Sequence, residues 1–441
     1  MNQNLPSDRS ESVFKDFKKP YTDEQARAEA NRCLYCYDAP CIQSCPTGID
    51  VPTFIRRIAN DNISGAAKTI FDSNILGMSC ARVCPVETLC VGSCVYNNMG
   101  SPPIQIGKLQ RYATDAAFEA GWSYYEAGPD SGKKVVCVGG GPASLAAAHR
   151  LRREGHQVTI IEKGNYLGGL NTTGIASYKM KADRSINEVE WLLSIGGIEI
   201  RSGLSIPTDL TWDDLKSEFD AIFIGFGLGE DSLMSLPGAD SQGVLGAVDF
   251  IAQMKLGTVD LSEVKNAVVI GGGNTALDAV RELRGLGIES VTLAYRGSET
   301  QMSGYAHEWA EAKKEGVIPS WRSQPTSFSV SDQGRVSSVT FQMMDENKQA
   351  IQGMTKTLSA ELVLLAIGQG KLGELTADLA GVEVEWGKIM TDESGATGAA
   401  GVYAGGDCRN GGKEVVNAVA EGDQAAQAIH AFIMGGGSCR I

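Results

Sequence analysis

Cysteine is the most unevenly distributed residue in this sequence, and its spacing is that of a metal-ligand set. Eight of the eleven cysteines lie between positions 33 and 94, and the remaining three are scattered. Thiolates are soft ligands that suit iron–sulfur clusters and zinc. The first group is Cys33, Cys36, Cys41 and Cys45, the second is Cys80, Cys84, Cys90 and Cys94, and the scattered cysteines are Cys137, Cys408 and Cys439.

The first group has the spacing C-x2-C-x4-C-x3-C and is followed directly by Pro46. Bacterial ferredoxins carry the similar run C-x2-C-x2-C-x3-C-P. A C-x2-C pair could instead be half of a four-cysteine zinc site. The Cys-Pro ending and the second group of four favour iron–sulfur over zinc. By counting alone, eight cysteines predict two clusters with four thiolates each.

A glycine-rich turn with the pattern G-x-G-x-x-S predicts a dinucleotide site after residue 133. The first glycine permits the turn, the second lets the backbone approach a pyrophosphate, and the third position must be small. The helix that follows offers free N–H groups to the phosphates. An acid at the end of the next strand is in the expected position for a ribose. The predicted elements are the strand Lys134–Val138, the turn Gly139–Ser144, the helix Leu145–Arg153, the strand Val158–Ile161 and the acid Glu162.

A late segment favours FAD as the nucleotide of this first site. Val402–Asp407 has the pattern of a strand, a glycine turn and an acid, and a predicted helix follows at Glu414–Ile433. It resembles the segment of two-dinucleotide flavoproteins whose aspartate binds the flavin side chain. The positive end of the following helix stabilises a reduced, anionic flavin.

A second glycine motif predicts a nicotinamide nucleotide site. The strand Ala267–Ile270 leads into the turn Gly271–Ala276 and the helix Leu277–Leu286. The next strand is followed by one arginine, Arg296, and by the acid Glu299. NADP sites often carry more than one cation here, and an acid suits a ribose diol better than a phosphate. The pattern therefore favours NADH over NADPH.

Composition narrows the class of protein further. The net charge of −14 argues against a nucleic-acid or anionic-membrane partner. No apolar run approaches the roughly 18–20 residues that span a bilayer, and the N-terminus lacks the apolar core of a signal peptide. We therefore expect a cytoplasmic protein, in which disulfides are a poor explanation for the cysteines.

These motifs predict an α/β protein with a helical iron–sulfur domain followed by two Rossmann-like dinucleotide-binding domains. The predicted divisions are a helical domain at 1–127, a first part of the FAD domain at 128–244, an NAD domain at 245–366 and a return segment of the FAD domain at 367–441.

The sequence resembles the NAD-dependent electron-input subunits of bacterial dihydropyrimidine dehydrogenases, and this resemblance covers nearly the whole chain. The small subunit of glutamate synthase is similar in architecture, as is the large subunit of bifurcating transhydrogenases. The segments that carry the resemblance are 33–41, 84–94, 103–110, 139–144 and 405–407.

The resemblance implies a division of the ligands that differs from simple counting. One cluster would be held by Cys33, Cys36, Cys41 and Cys94, and the other by Cys45, Cys84, Cys90 and Gln110. Cys80 would then be spare. The alternative for Gln110 is an ordinary helix-surface residue in the predicted helix Ile106–Ala113.

The resemblance also implies the cofactor contacts, with two departures from the family pattern. The family's flavin-contacting arginine appears here as Lys179, and the second cation of an NADP-type site falls at Ser303. We predict no catalytic acid or base, because the cofactors carry the chemistry. The complete predicted cofactor-binding set is Gly139, Gly141, Pro142, Ala143, Ser144, Glu162, Lys163, Gly168, Gly169, Leu170, Lys179, Gly271, Gly273, Asn274, Thr275, Ala276, Arg296, Gly368, Gly406 and Asp407.

We therefore expect FAD, NAD(H) and two [4Fe-4S] clusters, and a chain that passes electrons to a partner. In the family this partner is an FMN-containing subunit with its own iron–sulfur clusters, and its pyrimidine-binding barrel is absent from this sequence. The expected assembly is a hetero-oligomer. The alternatives are a glutamate synthase small subunit, a ferredoxin-linked NAD(P)H oxidoreductase, and an assembly protein with purely structural clusters.

Overall fold

A computed structural model describes residues 4–370 and 372–435, so Cys439 lies outside the described residues. The polypeptide begins with an extended segment that contains one 3-10 turn, Ser10–Val13, and then forms a helical domain. The helices of this domain are α1 (Asp23–Ala30), α2 (Pro40–Gln43), α3 (Val51–Ala59), α4 (Ile63–Ser73), α5 (Gly77–Val83), α6 (Val95–Asn98) and α7 (Ile106–Glu119).

Local capping signals and an apolar core explain why the N-terminal region is helical. Thr22 forms a reciprocal capping box with Gln25 at the start of α1, and Asp50 accepts a hydrogen bond from the Thr53 N–H at the start of α3. The buried faces of the helices share one core, in which Phe54 and Leu109 are fully buried. Six cysteines of the two groups pack against this core.

The first Rossmann-like domain is a parallel sheet between helices. Its elements up to residue 224 are β1 (Lys134–Val138), α8 (Pro142–Arg153), β2 (Gln157–Glu162), α9 (Leu170–Thr173), α10 (Ala182–Leu193), β3 (Ile198–Ser202), α11 (Trp212–Glu218) and β4 (Ala221–Ile224). Strand β1 pairs in parallel with both β2 and β4. The residues of β1 from Val135 to Val138 are buried, as expected for a strand covered on both faces.

The second Rossmann-like domain repeats this pattern with an antiparallel insertion. Its elements are β5 (Val244–Gly246), α12 (Ala247–Leu256), β6 (Asn266–Ile270), α13 (Asn274–Gly285), β7 (Ser290–Tyr295), α14 (Ala306–Lys314), β8 (Ile318–Trp321), β9 (Ser323–Val330), β10 (Val336–Met344), β11 (Ala350–Ser359) and β12 (Leu362–Leu365). The parallel sheet has the order β5-β12-β6-β7-β8, and β9, β10 and β11 form a separate antiparallel sheet.

The C-terminal segment returns to the first domain. Its elements are α15 (Gly373–Thr376), β13 (Val384–Glu385), β14 (Lys388–Ile389), β15 (Val402–Ala404), α16 (Asp407–Asn410) and α17 (Val415–Ile433). Strand β15 pairs in parallel with β4, which gives the first sheet the order β15-β4-β1-β2-β3. The predicted fold class is therefore confirmed. The domain boundaries stay predictions, and β5, which begins at Val244, already belongs to the second sheet.

Within residues 4–370 and 372–435, no helix is both long enough and apolar enough to cross a membrane.

A buried histidine in α8 predicts acid sensitivity of the first domain. The His149 ring lies edge-on to Tyr125, with 5.1 Å between ring centroids, and is 4% exposed. Burial, assisted by the nearby Arg153, lowers the pKa of His149 to about 3. The folded protein therefore holds this ring neutral, whereas the unfolded chain protonates it below its ordinary pKa. The resulting stability is present above about pH 6.5 and is lost as the pH falls towards 3.

We expect His149→Phe to reduce this loss, because phenylalanine keeps a ring against Tyr125 but takes up no proton. Between pH 7.5 and pH 5, the variant should lose about 2 kcal/mol less unfolding free energy than the parent protein. Urea denaturation of flavin-loaded protein at the two pH values measures the difference. His307→Gln, which changes a partly exposed histidine, should behave like the parent. Equal acid losses in His149→Phe and the parent would contradict the prediction.

Candidate functional site

One large cleft joins the helical domain to both nucleotide domains. Its volume is about 1640 Å³. Its walls come from the loop after α5, from both glycine motifs and from the C-terminal return segment. The segments that contribute most are 82–89, 138–143, 161–166, 204–206, 225–230, 274–278, 305–311 and 412–418.

The first glycine motif has the geometry that a pyrophosphate requires. Gly139 has φ +94°, and a Cβ there would lie 2.6 Å from the Phe226 Cα, so only glycine fits. Gly141 is open on its cleft side, where the nearest atom to a Cβ would be 3.7 Å away. It is also the N-cap of α8 and makes no side-chain cap, which leaves the first N–H groups of the helix for a ligand.

The third motif position, Ser144, serves packing as the sequence predicts. It is fully buried, and a Cβ at Gly225 would approach its hydroxyl to 2.2 Å. Pro142 and Ala143 line the cleft at the first turn of α8. A Cβ at Gly422 of α17 would lie 2.1 Å from the Ala143 carbonyl oxygen, so the glycine allows α17 to pack closely on α8.

The acid at the end of β2 is fixed in the cleft by backbone groups. Glu162 accepts hydrogen bonds from the N–H groups of Gly140 and Gly164, each at 2.7 Å. A carboxylate can accept further bonds, so these contacts orient Glu162 without using all its acceptor sites. Lys163 follows it along the cleft wall. This is the arrangement that binding a ribose diol requires.

The turn from residue 168 to 170 lies directly against the first glycine motif. Gly168 has φ +102° and donates its N–H to the Gly140 carbonyl at 2.8 Å. A Cβ on Gly169 would lie 3.0 Å from the Gly141 Cα. Gly169 and Leu170 line the cleft, whereas Gly168 lies behind them.

The return segment brings an acid and a helix start to the same cleft. Gly406 and Asp407 line it, and burial raises the pKa of Asp407, partly opposed by a hydrogen bond from the Lys413 N–H. Gly368, which the sequence also predicted, lies at an exposed turn outside the cleft lining. The open Gly141, the oriented Glu162 and the return acid fit a bound FAD.

The second glycine motif lines the same cleft as the first, from the second nucleotide domain. A Cβ on Gly271 would lie 2.3 Å from the Ala366 carbonyl oxygen, and Gly273 is the uncapped N-cap of α13. Asn274 and Thr275 line the cleft, and Ala276 is fully buried behind them. The two predicted nucleotide sites therefore face a common space, as hydride transfer between their ligands requires.

The loop after β7 carries the predicted cation Arg296, and a cation that sequence reasoning missed, Lys313, reaches this loop from α14. Arg296 is exposed and makes no hydrogen bond or ion pair within the described residues. Glu299 is already paired, since Lys313 of α14 donates to it at 2.8 Å. Ser303 lies beside the motif, with its hydroxyl 3.4 Å from the Gly272 carbonyl. The Glu299–Lys313 pair could not be read from sequence, because the two residues lie on different elements.

Lys179 lies in the cleft and joins the two nucleotide domains. Its Nζ atom is 2.7 Å from Asp278 Oδ1 on α13 and 3.1 Å from Glu308 Oε1 on α14. Burial alone would lower the pKa of Lys179, but these two carboxylates outweigh it and raise the pKa. Tyr178 also donates to Asp278, at 2.7 Å. The predicted flavin contact of Lys179 stays a prediction, because its ammonium is shared with these acids.

The four cysteines predicted for one cluster surround a shared cavity. Cys33, Cys36, Cys41 and Cys94 line it, together with apolar side chains such as Ile55. Burial and the neighbouring Cys33 raise the pKa of Cys41 to about 12, so a cluster that binds here must displace thiol protons. No three cysteine, histidine or acidic side chains in the described part of the chain converge as they would around a single metal ion. The four thiols fit a cluster.

The second predicted ligand set lies beneath the cleft. Burial raises the pKa of Cys90, and the neighbouring thiols of Cys84 and Cys45 raise it further. Gln110 is buried on α7 and donates its amide N–H to the Gly77 carbonyl at 2.8 Å, which leaves the amide oxygen as its potential ligand atom. Cys84 itself lines the cleft.

The predicted spare cysteine is also close to this set. Cys80 is 2% exposed and lies one helical turn before Cys84. The pKa of Cys84 is raised for two reasons. The larger is a hydrogen bond with the Cys80 thiol, and the second is burial. The geometry therefore leaves both ligand divisions open, one with Gln110 and one with Cys80.

A buried acid fixes the helix that leads to Cys84. Glu188 of α10 is fully buried and accepts a hydrogen bond from the Met78 N–H at 2.8 Å, and others from the Ser79 N–H and hydroxyl. Burial raises the pKa of Glu188 to about 7 despite these hydrogen bonds. These contacts hold α5 of the helical domain against the first nucleotide domain.

Sequence reasoning missed the N-terminal segment as part of the site. Phe17 and Lys18 line the cleft beside Cys84. The segment carries no recognisable motif, and only its contacts in the folded protein reveal its position.

Two family comparisons agree with this geometry. Residues 133–422 match the pyridine nucleotide-disulphide oxidoreductase family. Residues 9–122 match the family described as dihydropyrimidine dehydrogenase domain II, 4Fe-4S cluster.

Individual relatives and solved structures extend the comparison. The NAD-dependent dihydropyrimidine dehydrogenase subunit PreT of Escherichia coli K12 is 35% identical over 95% of this chain and 97% of its own length. The small chain of glutamate synthase [NADPH] from the same strain is 32% identical over 94% of this chain and 93% of its own. Thioredoxin reductase of T. acidophilum is 21% identical, covers 68% of this chain and 98% of its own, and has a TM-score of 0.55. This last likeness concerns the fold alone.

Proposed function

We propose that this chain, which belongs to the pyridine nucleotide-disulphide oxidoreductase family, is the electron-input subunit of an NAD-dependent dihydropyrimidine dehydrogenase. The chain is an NAD(P)H-dependent FAD/iron–sulfur oxidoreductase. The proposal adds the preferred nucleotide, two [4Fe-4S] clusters and the acceptor. The relative that is 35% identical over 95% of the chain is named a subunit of NAD-dependent dihydropyrimidine dehydrogenase, which supports the proposal.

One observation carries the proposal: Cys84, a predicted cluster ligand, lines the same cleft as both glycine motifs. In this arrangement a flavin in the cleft and a cluster held by Cys84 would be neighbours. The other predicted ligand set, around Cys33, lies in a separate cavity of the helical domain. This supports a path that leads from the nicotinamide through the flavin to the helical domain.

The residues of the chain bind and orient, and no side chain is required as an acid or base in the hydride step. When bound, FAD accepts the two electrons of a hydride, and each cluster carries one. The two glycine motifs would each hold one nucleotide in the shared cleft, Glu162 would orient a ribose, and the start of α17 would direct its positive end at the cleft. The predicted cofactor-binding residues that line the cleft are Gly139, Gly141, Pro142, Ala143, Glu162, Lys163, Gly169, Leu170, Lys179, Asn274, Thr275, Gly406 and Asp407.

The proposed acceptor is an FMN-containing subunit with its own iron–sulfur clusters, bound in a cytoplasmic hetero-oligomer. This part rests on the resemblance to the pyrimidine enzymes and on the name of the PreT relative as a dihydropyrimidine dehydrogenase subunit. The helices and strands of the described residues belong to the helical domain and the two nucleotide domains. The proposal therefore assigns the pyrimidine site to the partner.

Anaerobic reduction by the two nucleotides tests the proposed input function. NADH should reduce the flavin and then the clusters of the loaded protein, and kcat/KM with a dye acceptor should be higher for NADH than for NADPH. Arg296 is unpaired among the described residues, whereas Glu299 neutralises the charge of Lys313. A 2′-phosphate bound at this loop would therefore lack the contact with Lys313. A missing charge-assisted contact to the 2′-phosphate corresponds to a preference of roughly tenfold.

Two variants of the nucleotide loop sharpen this measurement. Ser303→Arg restores a cation beside the second glycine motif, and Glu299→Gln releases Lys313 from its ion pair. Each should raise kcat/KM for NADPH and leave the flavin content unchanged. Equal or better use of NADPH by the parent protein would refute the preference, and failure of both nucleotides to reduce the flavin would refute the function.

A further inference from the structure

The N-terminal segment is held firmly across both nucleotide domains. The Ser10 N–H donates to the Gly257 carbonyl at 2.9 Å, and the Phe17 N–H donates to the Tyr178 carbonyl at 3.0 Å. Arg111 of α7 pairs with Asp16 at 2.6 Å and also donates to the Lys18 carbonyl. The backbone of Lys18 is therefore fixed from two sides, at the level of the predicted ligand Gln110.

This anchoring directs the Lys18 side chain to the boundary between the cleft and the second ligand set. Its Nζ atom donates to the Cys84 carbonyl oxygen at 3.4 Å, and the side chain lines the cleft. The acid Glu87 and a second cation, Lys179, line the same cleft. Lys18 thus lies where a flavin and a cluster bound at Cys84 would face each other.

We propose that Lys18 makes the cluster held by Cys84 easier to reduce and thereby favours electron flow from the flavin into the helical domain. The inference rests on the proposed function, since it requires a cluster at Cys84. In the step concerned, one electron leaves the flavin and enters the cluster, and no bond is made or broken.

The physical reason is the charge that reduction adds. A reduced cluster carries one more negative charge than an oxidised one, so a nearby cation stabilises the reduced form. The effect is larger in a partly buried site, because the Coulomb interaction is less screened there than in water. Gln110 would act in the same direction, because a neutral ligand in place of a thiolate removes one negative charge.

Redox titration monitored by electron paramagnetic resonance on the full, cluster-loaded chain tests this role. In Lys18→Met and Lys18→Gln, the ratio of reduced to oxidised second cluster at a fixed potential should fall about tenfold, which for one electron equals a shift of about 59 mV to more negative potential. Lys18→Arg keeps a permanent charge and should titrate like the parent. Lys19→Met changes the adjacent, exposed lysine and is the matched control.

The cluster held by Cys33, Cys36, Cys41 and Cys94 serves as an internal reference. Its midpoint should stay unchanged in all four variants, whereas general damage to the helical domain would move both clusters. Unchanged midpoints of both clusters in Lys18→Met and Lys18→Gln, at full iron content, overturn the inference. A parent protein that binds no second cluster instead overturns the proposed function, so the two failures are distinguishable.

Discussion

Cys84→Ser should remove one entire cluster from this protein and leave about four of about eight iron atoms per chain. Cys84 is the C-cap of α5 and lines the cleft, and it is grouped with the predicted ligands Cys45 and Cys90. Serine offers a harder oxygen ligand, which suits an iron–sulfur cluster poorly. Electron transfer from the flavin to the helical domain should fall with the loss of this cluster.

Cys80→Ser is the matched control, since it changes a buried cysteine of the same helix one turn away. If Gln110 is the fourth ligand, this variant keeps both clusters. Anaerobic purification followed by iron and sulfide analysis measures the content of each variant. Stoichiometric zinc, or four or fewer irons in well-loaded parent protein, would contradict the two-cluster proposal.

Cys80 and Cys84 lie one helical turn apart at the end of α5, so the two variants compare neighbouring thiols. Equal iron losses in Cys80→Ser and Cys84→Ser would show that Cys80 is a ligand. Gln110→Leu then gives the complementary result, because it removes the amide oxygen and keeps a similar volume. It should lose the second cluster only if Gln110, and not Cys80, completes the ligand set.

The glycine motifs were predictable because each residue type answers a local geometric demand. Gly139 has a positive φ angle and no room for a Cβ, and Ser144 must be small where α8 meets the sheet. Strand β1 begins and ends at the predicted residues, and α17 starts one residue after its predicted beginning. These features are encoded within a few residues of sequence.

Features that depend on distant residues could not be predicted in this way. The pairing of Lys179 with Asp278 and Glu308 joins two domains, and nothing in the local sequence indicates it. The same holds for Glu188, whose partners at Met78 and Ser79 lie about 110 positions away. Sequence reasoning therefore identified the cofactor motifs but missed the contacts that hold the domains in register.

The antiparallel strands β9, β10 and β11 were missed for a different reason. Nearly all of the side chains of β11 are exposed, so its sequence lacks the alternation of apolar and polar residues that indicates a half-buried strand. These strands follow β8, form their own sheet, and pack on the second parallel sheet through buried side chains such as Phe328 and Phe341. Their omission did not affect the predicted site, because the cleft is lined by other segments.

The isolated chain should oxidise NADH with dyes but should reduce neither uracil nor thymine. The proposed function assigns the pyrimidine site to an FMN-containing partner and gives this chain only the input of electrons. The expected effect is large, because pyrimidine reduction should be undetectable without the partner and should appear when it is added. The measurement is NADH-dependent loss of uracil absorbance under anaerobic conditions.

Cys84→Ser is the matched control for this reconstitution, because it should keep the nucleotide motifs of the cleft while interrupting the path to the helical domain. With the partner present, the parent chain should support uracil reduction and Cys84→Ser should not, although NADH should still reduce the flavin of both. Uracil reduction by the chain alone, or none with an active FMN partner, would count against the pyrimidine assignment. Activity instead with a glutamate synthase large subunit would favour that alternative, whose small chain is 32% identical.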